Sequence, residues 1–174
     1  ANTGQCKAMM PDALRPGQEV VVTALPLYHI FALMVNFITY FSVGAVTLQK
    51  TNPRDMDGFV QTLQHSKVTV FTGVNTLFAG LVMHPKIREV DFSHLRLTGG
   101  GGAAVVGATS AKWKEITGQF IREGYGLSET SPILSFNPAS ITDFTGTTGL
   151  PLSSTDIKLL SDDGNEAGLG EAGE

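Results

Sequence analysis

Between Glu19 and Lys50 the chain carries no Asp, Glu, Lys or Arg. An uncharged run of that length has to be hidden from water, in a bilayer or in a protein core. Its composition decides between the two. Val20-Val21-Val22-Thr23-Ala24-Leu25 is β-branched and stops at Pro26, the pattern of a buried strand that ends in a loop. Ile30 to Leu48 has the length of a membrane span, but Asn36, Thr39, Ser42 and Gly44 interrupt it. At Gly44 the composition turns strand-like, Ala45-Val46-Thr47-Leu48. The pattern therefore predicts a buried helix followed by a buried strand.

The rest of the chain repeats this alternation. Asn52-Pro53-Arg54-Asp55 opens a helix with Phe59, Val60 and Leu63 inward, and Val68 to Phe71 is a strand. A helix over Leu77 to Val82 stops before Pro85. Leu95 to Thr98 is a strand feeding Gly99 to Gly102, Ala103 to Thr117 is helix-like, and Gln119 to Arg122 returns to strand. Strands alternating with helices predict an α/β fold, a mainly parallel sheet flanked by helices. Ser131 to Thr145 reads as irregular, and a strand over Asp156 to Leu160 precedes the turn Asp162-Asp163-Gly164-Asn165. The division expected is an α/β portion over residues 1–150 and the start of a β-subdomain over 151–174.

Composition supports a globular protein, with 42% hydrophobic and 16% charged residues. A net charge of -4 leaves no basic footprint for nucleic acid. Cys6 stands alone, which excludes an intrachain disulfide and suits a reducing compartment such as the cytoplasm. The chain opens without an initiator Met and closes in a Gly/Glu-rich stretch that completes no element, so both ends read as cut from something longer.

Two glycine-rich runs carry candidate chemistry. Gly99, Gly101 and Ala104 satisfy the dinucleotide spacing G-x-G-x-x-A, and Glu123 falls near the end of the next strand, where a ribose-binding acid belongs. Close helix-to-strand packing explains the same glycines. The second run, Gly124-Tyr125-Gly126-Leu127-Ser128-Glu129-Thr130, follows the apolar Phe120-Ile121. It offers an aromatic face for a base, a hydroxyl for a phosphoryl or acyl oxygen, and a carboxylate for a hard cation. Its bland reading is a strand-to-helix connection with Ser128 as N-cap and Tyr125 closing a core edge. His65, His84 and His94 lie in polar segments without metal-ligand spacing.

The second run resembles the signature of the adenylate-forming superfamily of acyl-CoA synthetases, luciferases and adenylation domains, with Ser128 where threonine is usual. Pro26-Leu27-Tyr28-His29 is similar to the family's proline-aromatic-histidine segment, and Leu97 to Ala103 to its adenine-binding loop. Thr51 to Asp55 and Thr72 to Phe78 look like bacterial long-chain fatty acid CoA ligases in particular. What the resemblance implies is a ligase that activates a fatty acid with ATP and passes the acyl group to coenzyme A.

In that reading Tyr125 stacks on adenine, with Gly100, Gly101, Gly102, Gly124 and Gly126 around the base. Ser128 meets the phosphoryl and acyl oxygens, Glu129 holds Mg²⁺, and His29 lines the carboxylate site. The apolar helix after His29 and the helix of Val74 to Leu81 would wall a dry acyl channel. The family's phosphate loop would precede Ala1, and its ribose-binding aspartate and C-terminal catalytic lysine would follow Glu174, so these residues alone would be inactive. The location expected is the cytoplasm, with peripheral contact at the inner membrane face and a homodimer as further expectations. A dinucleotide-binding module and a non-catalytic scaffold are the alternatives.

Overall fold

The computed structural model describes residues 1–174. Its strands are β1 (Val20–Thr23), β2 (Val46–Gln49), β3 (Val70–Gly73), β4 (Leu97–Gly100), β5 (Arg122–Gly126), β6 (Ile133–Phe136) and β7 (Leu150–Pro151). They form one sheet in the order β2-β1-β3-β4-β5-β6-β7. The first five in that order are parallel, and β6 and β7 add antiparallel. This is the α/β sheet that the alternation predicts. The chain leaves β1 to one side for β2 and to the other for β3, so a topological switch point lies at β1 and β3, where open sheets leave a crevice beyond the strand ends.

Side-chain alternation along the strands divides the interior in two. Val22 and Phe71 face α2 (Met56–Gln64), α3 (Asn75–Val82) and α4 (Gly107–Thr117), in a cluster of 17 buried residues. Trp113 of α4 lies at its centre, with ring centroids 5.4 Å from Phe71, 5.1 Å from Phe78 and 5.5 Å from Phe92. Its indole N–H donates to Thr98 Oγ1 at 3.0 Å, so the ring's one polar group is satisfied inside the core. Val21, Val70 and Leu97 face the other way, into a cluster of 10 with Cys6 and Met10 of the N-terminal segment and Tyr40. That face is covered by α1 (Asn2–Met9) and by a π-helix over Phe31–Thr39.

Several sequence expectations shift. The uncharged stretch does fold as helix then strand, but the helix spans nine residues. No helix is long and apolar enough to cross a membrane. β2 is the sheet edge rather than a buried strand, with Val46 57% exposed. The fifth strand starts at Arg122 and runs through the glycines to Gly126, because β6, expected to be irregular, pairs with it antiparallel. α4 starts at Gly107 rather than Ala103, since Val105 N–H donates to Glu123 Oε1 and Val106 N–H to Asn75 Oδ1, holding the preceding chain extended. The strand expected at Asp156 to Leu160 is absent. Only an isolated bridge, Leu160 to Glu166, forms there, and Ile157 and Leu159 stay about half exposed, so no buried face holds a longer ladder together.

At the amino ends of the strands, opposite the crevice, Glu19 ties the N-terminal segment to β1, β3 and β4. Its side chain is fully buried. It accepts from Arg15 N–H at 3.0 Å, Arg15 Nε at 3.1 Å, Thr69 Oγ1 at 2.6 Å and Arg96 Nη2. Burial pushes its pKa upward, but the hydrogen bonds from Thr69, Arg96 and Arg15 outweigh that and hold it below the ordinary glutamate value. A depressed carboxylate stabilises the fold fully above its unfolded pKa, about 4.3. That contribution is lost as pH falls from there through the folded value. Glu19→Gln should therefore lower stability at neutral pH by about 1–3 kcal/mol, since a buried carboxylate loses charge-assisted hydrogen bonds from two partly exposed arginines. Urea denaturation between pH 3 and 7 should also show a flatter acid limb in the variant, and parallel limbs would refute the assignment.

Candidate functional site

Beyond the carboxyl ends of β1, β4 and β5 lies a cavity of about 320 Å³ on the π-helix side of the sheet. The strands bring to it three stretches that are distant in sequence: His29 from the loop after β1, Gly100 to Gly102 from the end of β4, and Gly124 to Glu129 from β5 and the turn that follows. All nine residues singled out for that site in the sequence, His29, Gly100, Gly101, Gly102, Gly124, Tyr125, Gly126, Ser128 and Glu129, line this one space. The π-helix adds Phe31 and Val35. No residue of α3 lines the cavity; its Leu77, Phe78 and Leu81 belong to the core on the other face. Of the two expected walls only the first is present.

Close backbone packing shapes the glycine stretches. A Cβ on Gly100 would lie 2.6 Å from Val105 and 2.7 Å from Ile121, so this glycine serves helix-to-strand packing. On Gly126 it would collide with the Pro132 carbonyl, because β5 and β6 cross there at a register shift. Gly102 sits at φ +76, the left-handed region that glycine adopts without a steric penalty.

After β5 the residues Ser128–Thr130 make a single 3₁₀ turn. Thr130, not Ser128, fastens it: its hydroxyl accepts from Leu127 N–H at 3.0 Å and donates to the Pro132 carbonyl at 2.5 Å. Ser128 and Glu129 are left exposed at the rim, and neither is an N-cap. Tyr125 is 48% exposed rather than closing a core edge.

His29 is exposed, and its Nδ1 accepts from Phe31 N–H at 3.2 Å. That bond places the proton of the neutral ring on Nε2, which is left as a donor. The π-helix is pinned to the sheet by Asn36, fully buried, which accepts from Thr72 Oγ1 at 2.7 Å and donates to Thr23 Oγ1 at 3.1 Å and the Val22 carbonyl at 3.3 Å. A lone amide in an otherwise apolar stretch is the sequence signal for this link. Thr72 and Tyr40, which also line the cavity, gave no such signal. Burial, then the field of Glu19, raises the Tyr40 phenol pKa and keeps it protonated.

The residues do not form a dinucleotide site. Gly99 and Gly100 are strand residues, and the amides of Val105 and Val106, which would face a pyrophosphate, are already donated to Glu123 and Asn75. Glu123 is buried and engaged there rather than presented to a ribose. For a metal, no cluster of three or more His, Cys, Asp or Glu exists. The single free carboxylate of Glu129 suits an ion that takes one or two protein oxygens and completes its shell with phosphate and water, as Mg²⁺ does.

Gly126→Ala should disrupt this site, because the added methyl meets backbone rather than a movable side chain. A stability loss of about 1–3 kcal/mol is expected. Hydrogen exchange should speed up at Leu127, whose N–H bonds to the Pro132 carbonyl at 3.0 Å. Unchanged protection there would contradict the packing argument.

A family model described as AMP-binding enzyme matches residues 1–174. The chain is 47% identical over 174 residues to a long-chain-fatty-acid CoA ligase of Yersinia pestis and 48% identical to one of Salmonella typhimurium. Each match covers 100% of this chain and 31% of the relative, so the chain spans under a third of these relatives' length. Among solved structures, an anthranilate CoA ligase in complex with anthranoyl-AMP is similar with a TM-score of 0.85 at 27% identity, covering 98% of this chain and 34% of that one. A benzoate CoA ligase from Burkholderia xenovorans LB400 is similar with a TM-score of 0.82 at 26% identity, covering 99% of this chain and 35% of that one.

Proposed function

The chain belongs to the AMP-binding enzyme family, and from that premise we propose that its cavity is the reaction centre of a long-chain fatty acid CoA ligase. The observation that carries the reading is the convergence of an aromatic face, a free hydroxyl, a free carboxylate and an imidazole donor around one cavity with an apolar interior. A carboxylate is a poor electrophile, so it is first activated. Its oxygen attacks the α-phosphorus of ATP, pyrophosphate leaves, and an acyl-adenylate forms. The thiol of coenzyme A then attacks the acyl carbon, and AMP departs.

Each residue has a part in this scheme. Tyr125 stacks on adenine against the backbone of Gly100, Gly101, Gly102 and Gly126. Ser128 donates to phosphoryl and acyl oxygens as they gather charge. His29 Nε2 donates to the fatty acid carboxylate and orients it. Glu129 would hold Mg²⁺, which when bound would stabilise the negative charge on the phosphates. Phe31 and Val35 keep the approach to the acyl side dry, which strengthens these interactions. The protein acts in the cytoplasm.

The test is pyrophosphate release and CoA thioester formation by the intact protein that carries these residues, with acids from short to long. Glu129→Ala should lower kcat by about 10²-fold. Tyr125→Ala should raise KM for ATP by about tenfold, the loss of one stacked base. Wild-type protein that is folded and silent with every acid would overturn the reading.

A further inference from the structure

The cavity does not end at the reaction centre. It follows β4 from Gly100 back to Leu97, about 10 Å of extended chain, and there meets Met10 and Phe136. A second cavity of about 290 Å³ opens beside the amino ends of β4 and β5, and the same three residues, Met10, Leu97 and Phe136, line it too. They are only 7%, 6% and 7% exposed, and they pack in the core cluster on this face. Three apolar side chains thus stand in the lining of both spaces.

The two sides of this partition differ in chemistry. Toward the reaction centre lie Val35, Phe31 and Ile133. Behind it are Arg96, Arg122, Asp12 and Asn137. Arg122 has no carboxylate partner; its Nη1 donates to the carbonyls of Pro138 at 2.7 Å and Ile141 at 2.8 Å. A hydrocarbon tail gains from burial on the first side and meets groups that need water on the second. The boundary between favourable and unfavourable space for a tail therefore falls at Met10, Leu97 and Phe136.

Resting on the ligase reading above, we propose that these three residues set the length of acyl chain the enzyme accepts. Met10 is the adjustable member, an unbranched thioether that follows the shape of its neighbours. It comes from the segment joining α1 to the next turn rather than from a strand, so its replacement leaves the sheet intact.

The test is the profile of pyrophosphate release against acid length, each value divided by that for the shortest acid turned over. Met10→Ala should move the optimum to longer acids, and Met10→Phe should move it to shorter ones. Relative kcat/KM for acids that differ at the partition should change by about tenfold in each variant. Phe136→Leu provides a second opening variant in case Met10→Ala is poorly folded by circular dichroism. A purely structural effect would scale all acids equally and leave the optimum in place. Active wild-type protein whose folded variants share its profile would overturn the partition and leave the ligase reading intact. A wild type silent with all acids would remove both.

Discussion

The molecule is organised by the demand that its central strands be dry on both faces. β3 and β4 are buried along their whole length, and β1 at all but its first residue. Each face must therefore be roofed by elements that the chain delivers alternately to either side. Three helices roof one face around Trp113, while the π-helix and the N-terminal segment roof the other. The cavity lies under the second roof because the π-helix meets the sheet through hydrogen bonds of Asn36 as well as through apolar packing.

The site's chemistry depends on this arrangement more than on any one loop. Parallel strands bring the ends of β1, β3, β4 and β5 to one end of the sheet, so an imidazole, a glycine turn and an acidic turn that lie far apart in sequence face one space. Antiparallel β6 then draws β5 beyond its parallel partner and fixes where the turn bearing Ser128 and Glu129 leaves the sheet. Thr130 closes that turn with its own hydroxyl, which leaves the two neighbouring side chains unengaged.

Much of this was legible in the residues. The β-branched runs ending at Pro26 and at Gly73 marked strands, and the uncharged stretch after Glu19 marked a buried helix. The candidate site residues stood out because glycine, aromatic, hydroxyl and carboxylate groups together are unusual in so short a space. What stayed hidden depended on partners far away in sequence. β6 was missed because Ile133 to Phe136 has too little alternation to reveal a strand until β5 is beside it. The four-residue error at the start of α4 arose because side chains of Glu123 and Asn75 capture its first amides. Glu123 itself looked like a ligand-binding acid, and only its burial against Val105 showed otherwise.

The sheet also separates two kinds of substitution. Side chains around Trp113 and Phe71 pack under the helices α2 to α4 and none of them lines the cavity, so substitutions there bear on whether the chain folds. Side chains on the other face, from Met10 through Tyr40 to Phe136, bear on what the cavity admits. A lineage of such proteins has room to diverge in substrate by altering one side of a single sheet, while the other side keeps a reserve of stability against which those changes are tolerated.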